Sequence, residues 1–204
     1  MSYITFLVDD DGGVLKALGR LLRAAGYDTR AFASAQRFLA EYDGNVPGCV
    51  IMDLTMPGLD GLALQQTLAE TYANPPVIFL TGTGDISRSV QAMKAGAVDF
   101  LTKPVDGKQL LTAVERARLK DEAARRARRD REAFDLRMAK LTPRERQVLD
   151  HVVLGRLNKQ IAATLGTVEK TIKVHRGRVM AKLEVRSVAE LVRLTERVGL
   201  RPMA

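Results

Sequence analysis

The chain of 204 residues lacks the features that define several classes of protein. Its single cysteine, Cys49, excludes an intramolecular disulfide and a cysteine-based metal cluster, and the two histidines are too few to build a metal site of their own. No apolar run reaches the roughly 18 residues of a transmembrane helix. The N-terminal stretch has no basic segment before its apolar residues, which argues against a signal peptide. We therefore expect a cytoplasmic protein without a membrane segment.

Charge, in contrast, is plentiful and unevenly distributed. Residues 1–117 contain 10 Lys and Arg against 13 Asp and Glu, a net charge of −3, whereas residues 118–204 contain 22 against 11, a net charge of +11. An acidic half joined to a basic half predicts two modules, the second of which meets a polyanion such as nucleic acid. A basic solvated surface is the alternative, since part of the positive charge lies between the two modules.

Short apolar runs alternate with helical patterns through the first half of the chain. Each strand–helix unit covers about 20 residues, which is typical of a parallel sheet with crossover helices. The five predicted strands are Ile4–Val8, Thr29–Phe32, Val50–Asp53, Val77–Thr81 and Val98–Thr102. This alternation predicts an α/β fold, a flavodoxin-like (βα)5 doubly wound parallel sheet with strand order 2-1-3-4-5.

Polar residues stand where these strands end, in the order Asp9 and Asp10, Asp53, Thr81, Lys103. In the predicted order strands one and three are neighbours, so the three carboxylates are expected to converge. Carboxylates this close repel one another unless a cation compensates, and Mg²⁺ suits that need. An added ammonium and hydroxyl would let the site hold a phosphoryl group while a carboxylate attacks it. Any one of these residues alone is as readily explained as a cap or loop residue.

Four segments of this half resemble the receiver domains of two-component response regulators, over about residues 1–120. They are Val8-Asp9-Asp10-Asp11, Asp53-Leu54-Thr55-Met56-Pro57-Gly58-Leu59-Asp60-Gly61, Thr81-Gly82 and Lys103-Pro104. The resemblance implies that Asp53 accepts phosphate from a histidine kinase. The implied ligands of Mg²⁺ are Asp10, Asp53, the carbonyl of Thr55 and, through water, Asp9. The implied phosphoryl-binding residues are Thr81 and Lys103, with Phe100 as an aromatic switch and Pro104 in a cis peptide bond.

Residues 118–137 are rich in Arg, Ala, Glu and Asp, and opposite charges recur at helical spacings. We expect a solvated helix that extends from the receiver. A dimer-forming coiled coil is the alternative, but apolar heptads are sparse. The predicted domains are thus a receiver at 1–119, a helical linker at 120–137 and a DNA-binding domain at 138–204.

Four short helices separated by tight Gly or Asn turns are predicted after this linker, an all-α arrangement typical of a helix-turn-helix domain. Their predicted N-terminal signals are a capping box of Thr142 and Glu145, a cap at Asn158, a start at Thr167 and a second capping box of Ser187 and Glu190.

The third of these helices, predicted to run to about Leu183, has two different faces. The apolar stripe, which is expected to pack on the preceding helices, comprises Val168, Ile172, His175, Val179 and Leu183. The opposite face comprises Lys170, Val174, Gly177 and Ala181, flanked by Lys173 and Arg178. Small side chains with flanking cations suit a helix that enters a major groove. An ordinary amphipathic helix with a charged outer face is the alternative.

Residues 141–194 resemble the LuxR/FixJ-type helix-turn-helix. The segments that carry the resemblance are Leu141–Glu145, Asn158–Ala162, Thr171–Arg176, Met180–Leu183 and Ala189–Val192. The residues implied near bases or phosphates are Lys173, Val174 and Arg178, and those implied near the DNA backbone are Lys159, His175 and Lys182. Lys170 and Arg176 complete the set expected to contact DNA.

Together these features predict a response-regulator transcription factor of the FixJ/NarL class, and not an enzyme. The expected partners are a histidine kinase, promoter duplex DNA, a second copy of the chain when phosphorylated, and RNA polymerase. Three alternatives remain: a phosphatase or mutase with Asp53 as nucleophile, an RNA-binding antiterminator, and a regulator with a vestigial acidic pocket. The first usually needs a second acid two positions later, where Thr55 stands.

Overall fold

Five parallel strands form one sheet in the computed structural model, which describes residues 3–72, 74–82 and 86–199. The strands are β1 (Ile4–Val8), β2 (Asp28–Phe32), β3 (Gly48–Asp53), β4 (Val77–Thr81) and β5 (Asp99–Thr102). Their order is β2-β1-β3-β4-β5, so the predicted fold and strand order are confirmed. Val8 pairs with Met52 and Asp53 pairs with Leu80, which brings the strand ends to one edge of the sheet.

Helices cover both faces of this sheet. They are α1 (Gly12–Ala24), α2 (Ala35–Glu41), α3 (Gly61–Thr71), α4 (Ile86–Lys94) and α5 (Gly107–Met138). Because side chains alternate along a strand, Val50 and Met52 of β3 join one core while Cys49 and Ile51 join the other. Burial on both faces explains why the central strands are nearly continuous apolar runs.

The chain divides into two compact units, Met1–Ala124 and Arg125–Ala204, and α5 continues across that division. In the second unit α5 is followed by α6 (Pro143–Val153), α7 (Asn158–Thr164), α8 (Glu169–Lys182) and α9 (Val188–Arg197). Phe134, which is 1% exposed, and Met138 belong to the core of this unit. The interpretation of residues 120–137 as a solvated linker is therefore wrong at Phe134. None of the helices within the described ranges is long and apolar enough to cross a membrane.

The helix starts of the second unit agree only in part with the predicted caps. The capping box of Thr142 and Glu145 is present. Asn158 is not a cap, because Leu157 precedes α7 in the capping position. Val168, not Thr167, precedes α8; it is 64% exposed, so it does not belong to the packed stripe.

The last capping box is half formed. The Ser187 hydroxyl accepts a hydrogen bond from the Glu190 N–H, as expected. The Glu190 carboxylate instead accepts from the N–H of Arg186 at 2.8 Å, one residue before the cap. The helix start is still satisfied, since both side chains cover backbone N–H groups that lack a partner inside the helix.

Candidate functional site

Three carboxylates meet at the edge of the sheet where the strands end. Asp9 follows β1 and is 1% exposed, Asp53 ends β3 and is buried, and the neighbouring Asp10 is exposed. One carboxylate oxygen from each of the three lies within 4.8 Å of the others. The convergence expected from the strand order is therefore present in the structure.

Lys103 places an ammonium between two of these carboxylates. Its Nζ lies 2.7 Å from Asp9 Oδ2 and 3.0 Å from Asp53 Oδ2. The Lys103 N–H donates to the carbonyl of Thr81 at 2.8 Å, which continues the pairing of β4 with β5 to the site. The peptide bond between Lys103 and Pro104 is cis, as expected. One cation against three carboxylates leaves the cluster with an excess of negative charge.

Burial and hydrogen bonds together set the pKa values of Asp9 and Lys103. Burial raises the pKa of Asp9 above its ordinary value, while the Lys103 ammonium and the N–H of Asp11 oppose that rise. Burial acts to lower the pKa of Lys103, but its hydrogen bonds to Asp9 and Asp53 raise it overall, so the ammonium remains protonated. A divalent cation would relieve the cost of holding Asp9 ionised.

The residues present fit Mg²⁺. This ion binds hard oxygen ligands such as carboxylates and backbone carbonyls. Asp9, Asp10 and Asp53 offer carboxylate oxygens that lie within 4.8 Å of one another. Thr55 stands beside them, since its N–H donates to Asp53 Oδ1 at 3.4 Å. The helix that follows approaches closely: a Cβ on Gly61 would lie 2.4 Å from the carbonyl oxygen of Asp53. Only glycine fits at that position.

The two residues predicted to form the switch differ in their surroundings. Thr81 ends β4 and is buried beside the site. Phe100 on β5 is 43% exposed, so its ring lies partly in solvent. Val90 and Met93, three residues apart on α4, are also exposed apolar side chains, and α4 contacts β5. This side of the first unit therefore presents several large apolar groups.

One residue near the site could not be predicted from the sequence. Arg88 on α4 forms an ion pair with Asp60, the residue that caps α3, at 2.6 Å. Arg88 lies on a different strand–helix unit from Asp60, and no local periodicity links the two. The signal available in the sequence was limited to an arginine early in the helix after β4, which by itself indicates a solvated side chain.

The second unit presents the predicted outer face of α8 to solvent. Ile172 and Val179 are buried where α8 packs against α6 and α7. Lys170, Lys173, Val174, Gly177, Arg178 and Ala181 are exposed, as is Lys159 on α7. Added atoms at Gly177 would meet open space, so a ligand can approach the backbone there. The face combines small side chains with cations.

Two residues from the predicted DNA-contacting set form hydrogen bonds inside this unit, and a third is half-buried. Lys182 Nζ lies 2.6 Å from Glu145 Oε2 and 3.0 Å from the carbonyl oxygen of Lys140. Arg176 donates to the side-chain oxygen of Asn158 at 2.9 Å. His175 is half-buried, and its Nδ1 has no hydrogen-bond partner among the described residues. Lys182 and Arg176 thus differ from the exposed cations of α8 in that they are hydrogen-bonded within the unit.

Comparison with known proteins covers both units. The family model described as a response regulator receiver domain matches residues 5–115, and the model described as bacterial regulatory proteins of the luxR family matches residues 139–195. Nodulation protein W of Bradyrhizobium diazoefficiens is 42% identical over 97% of this chain and 87% of its own length. The transcriptional regulatory protein FixJ of the same organism is 39% identical over 96% of this chain and 95% of its own length.

Solved structures show the same likeness. A structure of the response regulator StyR matches with a TM-score of 0.83 and 41% identity, covering 97% of this chain and all of that one (100%). Full-length FixJ from B. japonicum matches with a TM-score of 0.58 and 39% identity, covering 96% of this chain and 97% of that chain. The matches extend over both units in each case.

Proposed function

Since this chain belongs to the two-component response regulators that join a receiver domain to a LuxR-type DNA-binding domain, we propose that Asp53 is the residue that accepts the phosphoryl group. Phosphorylation by a histidine kinase is implied by the family, and the family acts by regulating transcription. The observation that carries the assignment to Asp53 is its position at the end of β3, with the Lys103 ammonium 3.0 Å from Oδ2 and two further aspartates beside it.

The proposed step is a transfer between two nucleophiles. A carboxylate oxygen of Asp53 attacks the phosphorus of a phosphohistidine, a P–O bond forms, and the P–N bond breaks with its electron pair leaving on the histidine ring. Lys103 would pair with the oxygens of the transferred group, and the hydroxyl of Thr81 would donate to them. The contact of Lys103 with Asp53 and the burial of Thr81 support these roles. Positioning and charge stabilisation are the main contributions a protein makes to such a reaction.

We propose Mg²⁺ as the cofactor. Asp10, Asp53 and the carbonyl of Thr55 would hold the ion, with Asp9 acting through water. When bound, Mg²⁺ would supply positive charge against the carboxylates and the phosphoryl oxygens. The convergence of three carboxylate oxygens within 4.8 Å of one another supports the proposal, because a cation would offset their mutual repulsion.

The proposed output is a change in the binding of promoter DNA. The exposed outer face of α8 supports insertion into a major groove, with Lys173 and Arg178 at bases or phosphates and Val174 against an apolar base edge. Phosphorylation would promote a homodimer, for which the exposed Val90, Met93 and Phe100 offer apolar surface. A dimer doubles the contacts of one small module, and RNA polymerase is the proposed downstream partner.

The experiment that tests the phosphoacceptor uses acetyl phosphate with Mg²⁺ and intact-protein mass spectrometry. The wild-type chain should gain one phosphate, and Asp53→Asn should gain none, because the amide cannot attack phosphorus. Asp43→Asn, a change of the same chemistry in an exposed turn, should be labelled like the wild type. Equal labelling of wild type and Asp53→Asn would refute the assignment.

A further inference from the structure

Arg88 makes three contacts with the loop that follows Asp53. Its Nη1 donates to Thr55 Oγ1 at 3.2 Å. Its Nη2 donates to Asp60 Oδ2 at 2.6 Å and lies 3.4 Å from the carbonyl oxygen of Leu54. A guanidinium can span such a set because its donors form a rigid fork. All three acceptors lie between the strand that carries the carboxylate and the start of α3, so Arg88 joins α4 to this loop.

The loop is also bonded within itself. The Thr55 N–H donates to Asp53 Oδ1 at 3.4 Å, and the Leu54 carbonyl accepts from the Gly61 N–H at 3.2 Å. Asp60 accepts from the Ala63 N–H at 2.9 Å while its second oxygen binds Arg88. Thr55 is therefore held at two points, its N–H by Asp53 and its hydroxyl by Arg88. These two points limit how far the residue, and with it its carbonyl group, can rotate.

We propose that Arg88 is a positioning residue for the phosphorylation site, which orients the carbonyl of Thr55 for Mg²⁺ without touching the reacting atoms. The inference rests on the proposed function, since it takes Thr55 as a ligand of the ion. Partners that lie behind metal ligands orient them, and their loss weakens metal binding even though the ligands remain. The Arg88 contacts to a side chain, a carbonyl and a helix cap form such a support.

Charge alone makes the opposite prediction, which is what allows the two explanations to be separated. A guanidinium near the site repels a divalent cation, so its removal should tighten the binding of Mg²⁺. Removal also leaves the Asp60 carboxylate without its ion-pair partner, which adds negative charge near the site. If Arg88 acted only through its charge, Arg88→Met would bind Mg²⁺ more tightly. If it acts by positioning, the same variant binds Mg²⁺ more weakly.

The test is a titration of the full chain with MgCl₂, followed by backbone amide NMR shifts. Arg88→Met should raise the Kd for Mg²⁺ by about tenfold, at the low end for loss of such support because Arg88 is half-buried. The Kd of Arg88→Lys should fall between those of the wild type and Arg88→Met, because an ammonium keeps the charge but cannot reach three acceptors. Arg37→Met removes an equal charge from an exposed ion pair with Glu41 on α2, and should bind Mg²⁺ like the wild type.

Labelling by acetyl phosphate gives a second measurement. In Arg88→Met the Mg²⁺ concentration for half-maximal labelling should rise by the same factor, while the rate at saturating Mg²⁺ should stay within about twofold of wild type, because Asp53 and Lys103 are unchanged. An unchanged or lower Kd in Arg88→Met overturns the positioning role. If Arg88→Met does not give the NMR spectrum of a folded protein, Arg88→Lys replaces it. An unchanged or lower Kd for Mg²⁺ in Arg88→Lys would then overturn the positioning role. A wild-type chain that binds no Mg²⁺ would overturn both this inference and the proposed cofactor.

Discussion

Lys173 and Lys182 lie on the same helix, α8, but their ammonium groups have different surroundings. Lys173 is exposed on the outer face. Lys182 binds the buried Glu145, whose pKa is lowered by that hydrogen bond and by the N–H of Thr142. A carboxylate with a lowered pKa stabilises the fold above its ordinary pKa of 4.5, and this stabilisation is lost as the pH falls through the lower value of the folded state. The Lys173 ammonium thus lies in solvent, whereas the Lys182 ammonium holds a contact within the fold.

Alanine variants of these two residues should therefore change different properties. Lys173→Ala should reduce the slope of log Kd for duplex DNA against log salt concentration by about 1, because one phosphate contact is lost. Lys182→Ala should leave that slope unchanged. Its effect should be a loss of about 1 to 3 kcal/mol in the unfolding free energy of the second unit at neutral pH, shrinking below pH 4.5. A salt slope that is reduced in Lys182→Ala but not in Lys173→Ala would contradict this division of roles.

Helix α5 contributes to two cores through different parts of its length. Leu110, Ala113, Val114 and Ala117 are buried against the sheet, whereas Phe134 and Met138 are buried with α6, α8 and α9. Between them the helix is dominated by charged residues, with ion pairs such as Arg131 with Asp135 one turn apart. Such exposed pairs contribute little stability, so the two ends of α5 are fixed mainly by apolar burial.

Phe134 and Leu136 provide a matched pair for this helix. Phe134→Ala should lower the unfolding free energy of the second unit by about 3 to 5 kcal/mol, because it leaves a cavity in the core. Leu136→Ala, on a side chain that is 70% exposed, should change it by less than about 0.5 kcal/mol. The measurement is urea unfolding by circular dichroism. All four tyrosines lie in the first unit, so tyrosine fluorescence reports on that unit alone. Neither variant should shift the unfolding transition of the first unit.

The elements themselves could be predicted where local pattern and burial agree. The central strands β1, β3 and β4 are predictable because a sheet covered on both faces requires apolar runs there. Asp9 and Asp53 are predictable as site residues because they stand at the ends of such runs. Phe134 was missed, since a single aromatic in a charged helix gives no periodic signal. The pairing of Arg88 with Asp60 could not be predicted either, because it depends on how α4 packs beside α3, and sequence periodicity does not report that.

The whole chain combines an acidic unit that carries the candidate phosphorylation site with a basic unit that presents α8. Response regulators that resemble it align over nearly its full length, so the two units occur together in them. A phosphoryl group on Asp53 can regulate DNA binding only if the receiver has two states whose stabilities it changes. Regulation of this kind therefore requires coupling between the two units.

The most direct test measures the affinity of the full chain for a duplex first selected from a random pool by the phosphorylated wild type. Fluorescence anisotropy at fixed salt gives the Kd with and without acetyl phosphate and Mg²⁺. For the wild type, phosphorylation should tighten binding about fivefold or more, as is typical of coupled sites. For Asp53→Asn the Kd should not change. Equal tightening in both proteins, or none in a wild type that is fully phosphorylated, would contradict the account.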